Sequence, residues 1–340
     1  MQTDRIDVIA TTISGSVSDW QKVGGLEKEF RKSHSGELFV HIVDSHADAL
    51  RKAAQVVELG GRIIVSAGGA GTFNSVLEGC CAVGRIPEEM KLAFLRKGSA
   101  DLIGKAMGIP DDLEAAAHVI LTGLKREDFV EADVIEVTGK STDKRHIIGF
   151  GGVGVFGDTP RFTENRFIKY YKGFLGTLFG DLGPFLVGVN LALLKYHLDT
   201  LRGRASRYEI VAGDIVLPMK RYVSTIILNG DLGEDFPIAR GMPFGDGEMK
   251  VVAIRDMGAA ASYRQLISCW KGRLSRDSAE LGVTALKSPV LEIIPERNWP
   301  YIVNVDGLIL WARGPVRFAV RDRVKLVSGR QENKIGRLTT

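Results

Sequence analysis

The chain reads as an α/β domain followed by an all-β domain, that is, parallel-sheet layering first and an antiparallel β-sandwich second. Three observations carry this. At 340 residues the chain exceeds what one compact core usually fills, roughly 250–300 residues. Over residues 1–135 strand-like and helix-like stretches alternate, the pattern of a parallel sheet covered by helices. Beyond them, short strands follow one another between Gly, Asn, Asp and Pro turns, the pattern of a sandwich.

The elements follow in order. Residues 5–10 (RIDVIA) form a strand and 20–32 an amphipathic helix. Residues 37–43 (ELFVHIV) are strand-like, and 48–59 form a helix with Ala49, Ala53, Val56 and Val57 near one face. Residues 62–65 (RIIV) are a short buried strand that runs into Ser66-Ala67-Gly68-Gly69, and 74–83 are helical. In the second half VIEVTG, HIIGFGGVGVFG, YEIVAGDIVLPM, VSTIILNG, MKVVAIRD, VLEIIP, YIVNVDG and VRFAVRD are strands. A helical insert over 165–201 and a helix over 263–273 interrupt them. The expected division is 1–135, completed by 315–328, then a sandwich over 136–314, with 329–340 a flexible tail.

Composition excludes several classes. Hydrophobic (45%) and charged (25%) fractions are those of an ordinary globular protein. A net charge of +4 with a pI of about 8.9 falls short of a dedicated nucleic-acid binder. It suits an anionic ligand or an anionic membrane surface, and equally a slightly basic soluble protein. Cys80, Cys81 and Cys269 lack zinc-ligand spacing, and an odd, sparse count argues against a disulfide framework. The start, MQTDRIDVIATT, has no signal-peptide pattern. The apolar stretch 174–194 is broken by Gly176, Gly180, Asp181, Gly183, Pro184 and Gly188, so it reads as non-spanning. The six histidines show no H-x-x-x-H or H-E-x-x-H spacing, and no G-x-S-x-G elbow is present. Trp299 and Trp311 are expected in the sandwich core.

The strongest local signal is VSAGGAGTFN at 65–74, a glycine-rich turn leaving a strand and entering a helix. Glycines let the backbone approach a phosphate, and a helix N-terminus presents free N–H groups to it. Thr72 or Asn74 would cap that helix. The spacing is neither a Walker A loop nor G-x-G-x-x-G. A tight turn needing glycine for positive φ explains the run as well.

GGAGTFNSVLEG resembles the GGDGTxNEVxNG signature of the diacylglycerol kinase, sphingosine kinase and ceramide kinase superfamily. Further stretches agree in the same order: Ser14-Gly15 with the end of an Asn-Pro-x-Ser-Gly loop, and Lys97 to Leu102 followed by Met107 to Pro110 with GTANDF…GIP. Pro243 to Val251 resembles the family's P…DG.LDV strand pair, and Asn304 to Gly307 its DGE turn. The resemblance spans roughly residues 5–325.

It implies an N-terminal α/β nucleotide-binding domain of NAD kinase/diacylglycerol kinase type and a C-terminal antiparallel β-sandwich, with ATP and Mg²⁺ as cofactors. By position, Ser14, Gly15, Gly68, Gly69, Gly71, Thr72, Gly98 and Ser99 match residues that hold the nucleotide. Asp133 resembles an aspartate that in some bacterial members anchors magnesium through water, and Asp306 matches the aspartate of the DGE turn, which the resemblance makes catalytic. The implied activity transfers the ATP γ-phosphate to a lipid hydroxyl of diacylglycerol, ceramide or a sphingoid base. The implied setting is the cytoplasm, with peripheral visits to a membrane surface, no nucleic-acid partner, and a homodimer left open.

The family's acids are missing at three places, where Ala70, Ser75 and Leu308 stand. The first loop reads Thr11-Thr12-Ile13 in place of Asn-Pro, and Asp101 and Leu102 replace Asn and Asp of the second. Phosphoryl transfer leans on metal ions and positioning, so these departures leave a second expectation: a relative that binds nucleotide or lipid without transfer. Asp101, Asp133, Asp158, Asp246 and Asp306 remain as candidates to compensate. A soluble-substrate kinase of the NAD kinase kind is a third. Finally, Phe167, Tyr170, Tyr171, Phe174, Leu175 and Phe179 with Lys169 and Lys172 suit an interfacial segment or an acyl-pocket wall. A helical pair packed on the sandwich, or a dimer contact, suits them too.

Overall fold

The computed structural model describes residues 5–12, 17–96, 102–140, 142–163, 183–234, 236–272 and 278–330. Two compact units emerge, residues 1–131 with 324–340 and residues 132–323. The first half of the insert and the last ten residues of the tail lie outside the described residues.

In the first unit β1 (Ile6–Thr11), β2 (Leu38–Val43), β3 (Ile63–Gly68) and β4 (Lys91–Arg96) form a parallel sheet in the order β2-β1-β3-β4. β1 and β3 are buried along their whole length, as apolar strands covered on both faces must be. The end of β16 (Val316–Val327) closes this sheet in parallel with β4, pairing Lys325 with Lys91 and Leu326 with Leu92. The helices are α1 (Val17–Arg31), α2 (His46–Glu58), α3 (Ala70–Ala82), α4 (Leu102–Ala106) and α5 (Leu113–Arg126). Ser45 caps α2 by accepting from the Asp48 N–H at 3.0 Å. The helix buries Ala49, Ala53, Val56 and Val57, the face its spacing predicts. α3 packs tightly on α2, since a Cβ on Gly79 would lie 2.4 Å from the Leu50 carbonyl oxygen. Asp112 caps α5, and Glu127 ends it in a left-handed turn with φ 56°.

Among the described residues of the second unit, the pairs with an assigned register are antiparallel. β7 (Phe150–Gly154), β10 (Tyr222–Leu228), β11 (Met249–Arg255), β12 (Val283–Ser288), β14 (Tyr301–Val305) and β15 (Leu308–Ala312) form one sheet, ordered β12-β11-β10-β7-β14-β15. β13 (Val290–Pro295), β8 (Tyr208–Ala212) and β9 (Ile215–Lys220) continue from the start of β16, and β5 (Phe129–Gly139) joins β16 and β6 (Thr142–Ile147). Ile135, Ile210, Leu291 and Phe318 from this second sheet share one core with Val153, Ile227, Val251 and Val303 from the first. That shared core makes the unit a sandwich. Among the described residues three α-helices accompany it: α6 (Val155–Thr163), α7 (Gly183–Leu201) and α8 (Ala259–Trp270). Among the described residues, no helix is long and apolar enough to cross a membrane.

Three local expectations change. α3 starts at Ala70, four residues before the predicted start, so the glycine run forms its first turn. Val155 begins a helix, whereas HIIGFGGVGVFG reads as strand throughout. Trp299 and Trp311 are 42% and 53% exposed and lie outside the core. Trp311 sits between inward Leu310 and Ala312 on β15, so strand alternation turns it outward. Arg297 stacks over the Trp299 ring at 4.5 Å.

Candidate phosphate loop and apolar recess

The turn from β3 to α3 is built by close approaches, not by backbone strain. Gly68, Gly69 and Gly71 all have φ outside the left-handed region, which removes the positive-φ explanation. A Cβ on Gly68 would lie 2.3 Å from Thr72 Oγ1, and one on Gly71 would lie 2.8 Å from the His46 ring, whereas one on Gly69 would meet nothing within 4 Å. Gly68 thus makes room for Thr72, Gly71 makes room for the imidazole at the start of α2, and Gly69 borders open space.

Neither Thr72 nor Asn74 caps α3. The cap is Gly69, with no side-chain hydrogen bond, and its carbonyl accepts from Thr72 N at 3.0 Å and Phe73 N at 3.2 Å. Thr72 is buried and shares a 2.6 Å hydroxyl–hydroxyl hydrogen bond with Thr11 on β1. Asn74 is 4% exposed, and among the described residues neither its Nδ2 nor its Oδ1 has a partner. Buried amides are nearly always paired. Ser75, where the family carries an acid, donates back to the Gly71 carbonyl at 2.9 Å. Open space at Gly69 and the N-terminus of a thirteen-residue helix together fit an oxyanion such as a nucleotide phosphate. Ser14, Gly15, Gly98, Ser99 and Asp101 lie outside the described residues.

The acidic candidates of the second unit are each committed to another partner. Asp133 is 1% exposed. Its Oδ1 accepts from Arg323 Nε at 3.0 Å and its Oδ2 from the Gly247 N–H at 2.7 Å. Asn229 Nδ2 donates to its carbonyl at 2.6 Å. Asp306, at φ 46°, accepts from the N–H groups of Ile148, Gly149 and Phe150 at 2.8, 3.0 and 2.7 Å. It thereby clamps the turn entering β7. Asp158 pairs with Lys195 at 2.8 Å and Asp246 with Lys287 at 2.6 Å. Magnesium takes oxygen ligands that face it. Here the carboxylate oxygens face a guanidinium, ammonium groups or backbone N–H groups. Among the described residues, no three His, Cys, Asp or Glu gather to hold a metal, so these residues do not fit a directly held Mg²⁺.

The second unit also holds an apolar recess of about 700 Å³, counting the space at its open mouth. Phe156, Val189, Leu193, Ile226, Phe236 and Leu266 are prominent in its wall. Cys269 lines it too, and burial pushes that thiol up to about 11. Sequence reading missed this recess because α6, α7, β10 and α8 each supply three or four residues that only the fold brings together. The apolar stretch entering α7 was the available signal.

Residues 5–137 match the family model of the diacylglycerol kinase catalytic domain. A diacylglycerol kinase of Staphylococcus saprophyticus is 29% identical over 176 residues, 50% of this chain and 52% of that protein. One of Staphylococcus haemolyticus is 29% identical over 176 residues, 50% of this chain and 48% of that one. The chain therefore spans about half the length of the curated relatives it matches. Among solved structures, a diacylglycerol kinase of Bacillus anthracis superposes with a TM-score of 0.64 at 15% identity, over 96% of this chain and 98% of that one. An NAD kinase of Archaeoglobus fulgidus in complex with ATP superposes with a TM-score of 0.50 at 10% identity, over 96% and 94%. These two likenesses are of fold: an α/β unit and an antiparallel all-β unit.

Proposed function

We propose that this chain, whose residues 5–137 belong to the diacylglycerol kinase catalytic-domain family, is a lipid kinase that passes the γ-phosphoryl group of ATP to a lipid hydroxyl. The observation that carries the reading is the β3–α3 turn, where Gly69 borders open space at a helix N-terminus. In this reading Gly68 and Gly71 shape the loop, Gly69 lets the phosphates approach, and Thr72 holds the loop to β1. The lipid chain occupies the apolar recess. Leu191, Leu194, Leu198 and Leu201, exposed along α7, support a membrane surface as the place where lipid is collected. Mg²⁺ would neutralise phosphate charge, but the described carboxylates do not fit it and no residue is assigned to it. Asp306 serves as a positioning residue that fixes the turn into β7.

A second reading is favoured by specific residues. Ala70, Ser75 and Leu308 stand where the family has acids, and Asp133 and Asp306 are engaged elsewhere. A nucleotide- or lipid-binding protein without transfer would look the same. The deciding measurement is transfer of labelled phosphate from ATP to a panel of lipids across several divalent metals. Gly69→Asp is the control, because a Cβ there meets nothing within 4 Å and the added negative charge would repel phosphate. Transfer by the wild type that Gly69→Asp abolishes supports the kinase. Nucleotide binding without transfer supports the second reading.

A further inference from the structure

A second recess of the second unit is walled by aromatic and charged side chains in place of aliphatic ones. It encloses about 790 Å³, counting the space at its open mouth. Its residues come from α6, α7, the link from α7 to β8, and the neighbourhood of β14 and β15. Trp299, Tyr301 and Trp311 supply aromatic surface. Both tryptophans are exposed, and Arg297 over one face of Trp299 steadies that ring. The Tyr301 hydroxyl donates to the Gly314 carbonyl at 2.7 Å, so its polar atom is engaged within the protein.

The charged groups are of two kinds. Lys195 Nζ lies 2.8 Å from Asp158 Oδ2 and 3.0 Å from Asp199 Oδ2. Among the described residues no donor reaches Oδ1 of either aspartate, and both side chains remain partly exposed. Arg161 and Arg204 line the same recess and are exposed. Among the described residues their guanidinium groups have neither a hydrogen bond nor an ion pair. Three cations (Arg161, Lys195, Arg204) against two carboxylates (Asp158, Asp199) leave an excess of one positive charge.

Each group asks for a different part of a ligand. Uncommitted guanidinium groups suit an oxyanion, phosphate above all. Exposed aromatic faces suit a ring. Carboxylate oxygens with free lone pairs accept from hydroxyl groups. A simple anion would use the arginines alone, and an apolar ring the aromatic faces alone. A cation would meet two arginines and two carboxylates already shared with Lys195.

We propose that this recess binds a phosphorylated sugar, with its ring against the tryptophans, its hydroxyls on Asp158 and Asp199, and its phosphate on Arg161 and Arg204. Every residue named belongs to the second unit, and the proposal stands without the lipid-kinase reading.

The test uses the full chain and calorimetry with glucose 6-phosphate, glucose and inorganic phosphate. Glucose 6-phosphate is expected to bind at least roughly tenfold more tightly than either fragment, because one molecule then engages both halves of the recess. Arg161→Gln combined with Arg204→Gln should bring glucose 6-phosphate down to the level of glucose and leave glucose unchanged. Trp299→Leu combined with Trp311→Leu should weaken both sugars and leave inorganic phosphate unchanged. A misfolded variant would lose every ligand, so this split separates recognition from folding. Adenosine monophosphate distinguishes the source of the sugar phosphate. Tighter binding than glucose 6-phosphate, lost in both paired variants, assigns a nucleotide; weaker binding assigns a plain sugar phosphate. Equal binding of glucose 6-phosphate and inorganic phosphate overturns the proposal, leaving an anion site only. It is also overturned if neither phosphorylated sugar binds, or if their binding survives both paired variants.

Discussion

Gly71 and His46 show how a residue's identity is set by a neighbour distant in sequence. In the first turn of a helix alanine is favoured over glycine by roughly 0.5–1 kcal/mol, yet a methyl group at Gly71 would sit 2.8 Å from the imidazole. The half-exposed ring must swing aside, at a cost that offsets the helix gain. Gly71→Ala is therefore expected to be neutral or destabilising in the wild type, and stabilising by about 0.5–1 kcal/mol in a His46→Ala background. A double-mutant cycle of urea unfolding measures this. Equal effects in both backgrounds would mean that His46 does not confine the loop. The glycine run was legible as a strand-to-helix turn from its place in the sequence. Why each glycine is there was not, because His46 and Thr72 reach it through tertiary contact. Asp306 was legible as a special position. Its three backbone N–H partners, on a turn far away in sequence, were not.

At the scale of elements, the β1–β2 pairing carries a buried charge cluster. Asp7 is fully buried in an otherwise apolar strand. Arg5 donates to both of its oxygens, at 2.8 and 3.1 Å, and His41 Nε2 lies 2.8 Å from Oδ1. The parallel register that sets Ile9 beside His41 brings the imidazole within reach of Asp7. Burial pushes the Asp7 carboxyl upward, but the hydrogen bonds from His41 and Arg5 outweigh it and hold the group below its ordinary 3.8. A depressed folded value means stability that is fully present above pH 3.8 and is lost as pH falls through the lower folded value. Asp7→Asn should cost about 1–3 kcal/mol at pH 7 and flatten the acid limb of the stability curve. Urea midpoints from pH 7 down to pH 3 test it. A variant that loses stability equally at every pH would exclude the linkage. The strand itself was legible in RIDVIA. The need for a partner was implicit in an aspartate amid apolar residues, but the register that supplies His41 is a property of strand pairing, which no local pattern contains.

At the scale of the molecule, the first unit is discontinuous in sequence, and that makes its stability depend on residues 324–330. Val324, Leu326 and Val327 are at most 2% exposed. The end of β16 lies so close to α5 that a Cβ on Gly123 would be 2.9 Å from Val327 Cγ1 and 3.0 Å from the Ser328 carbonyl oxygen. Two further bonds close the join, Ser328 N–H to the Asp128 carbonyl at 3.0 Å and Gly329 N–H to the Met107 carbonyl at 2.8 Å. The C-terminal strand is thus part of the sheet that presents the β3–α3 turn. Leu326→Ala, which leaves a cavity beside β4, should cost about 2–5 kcal/mol. Gly123→Ala, which overfills the same join, should cost about 1–3 kcal/mol. If the unit unfolds as one, both variants lower hydrogen-exchange protection in β1 and β3 as well as in β4 and β16. Protection in β1 and β3 that stays at the wild-type level would show the C-terminal strand to be an adjunct. The loop would then draw its rigidity from β1, β3, α2 and α3 alone, and variation at residues 324–330 would leave nucleotide affinity untouched.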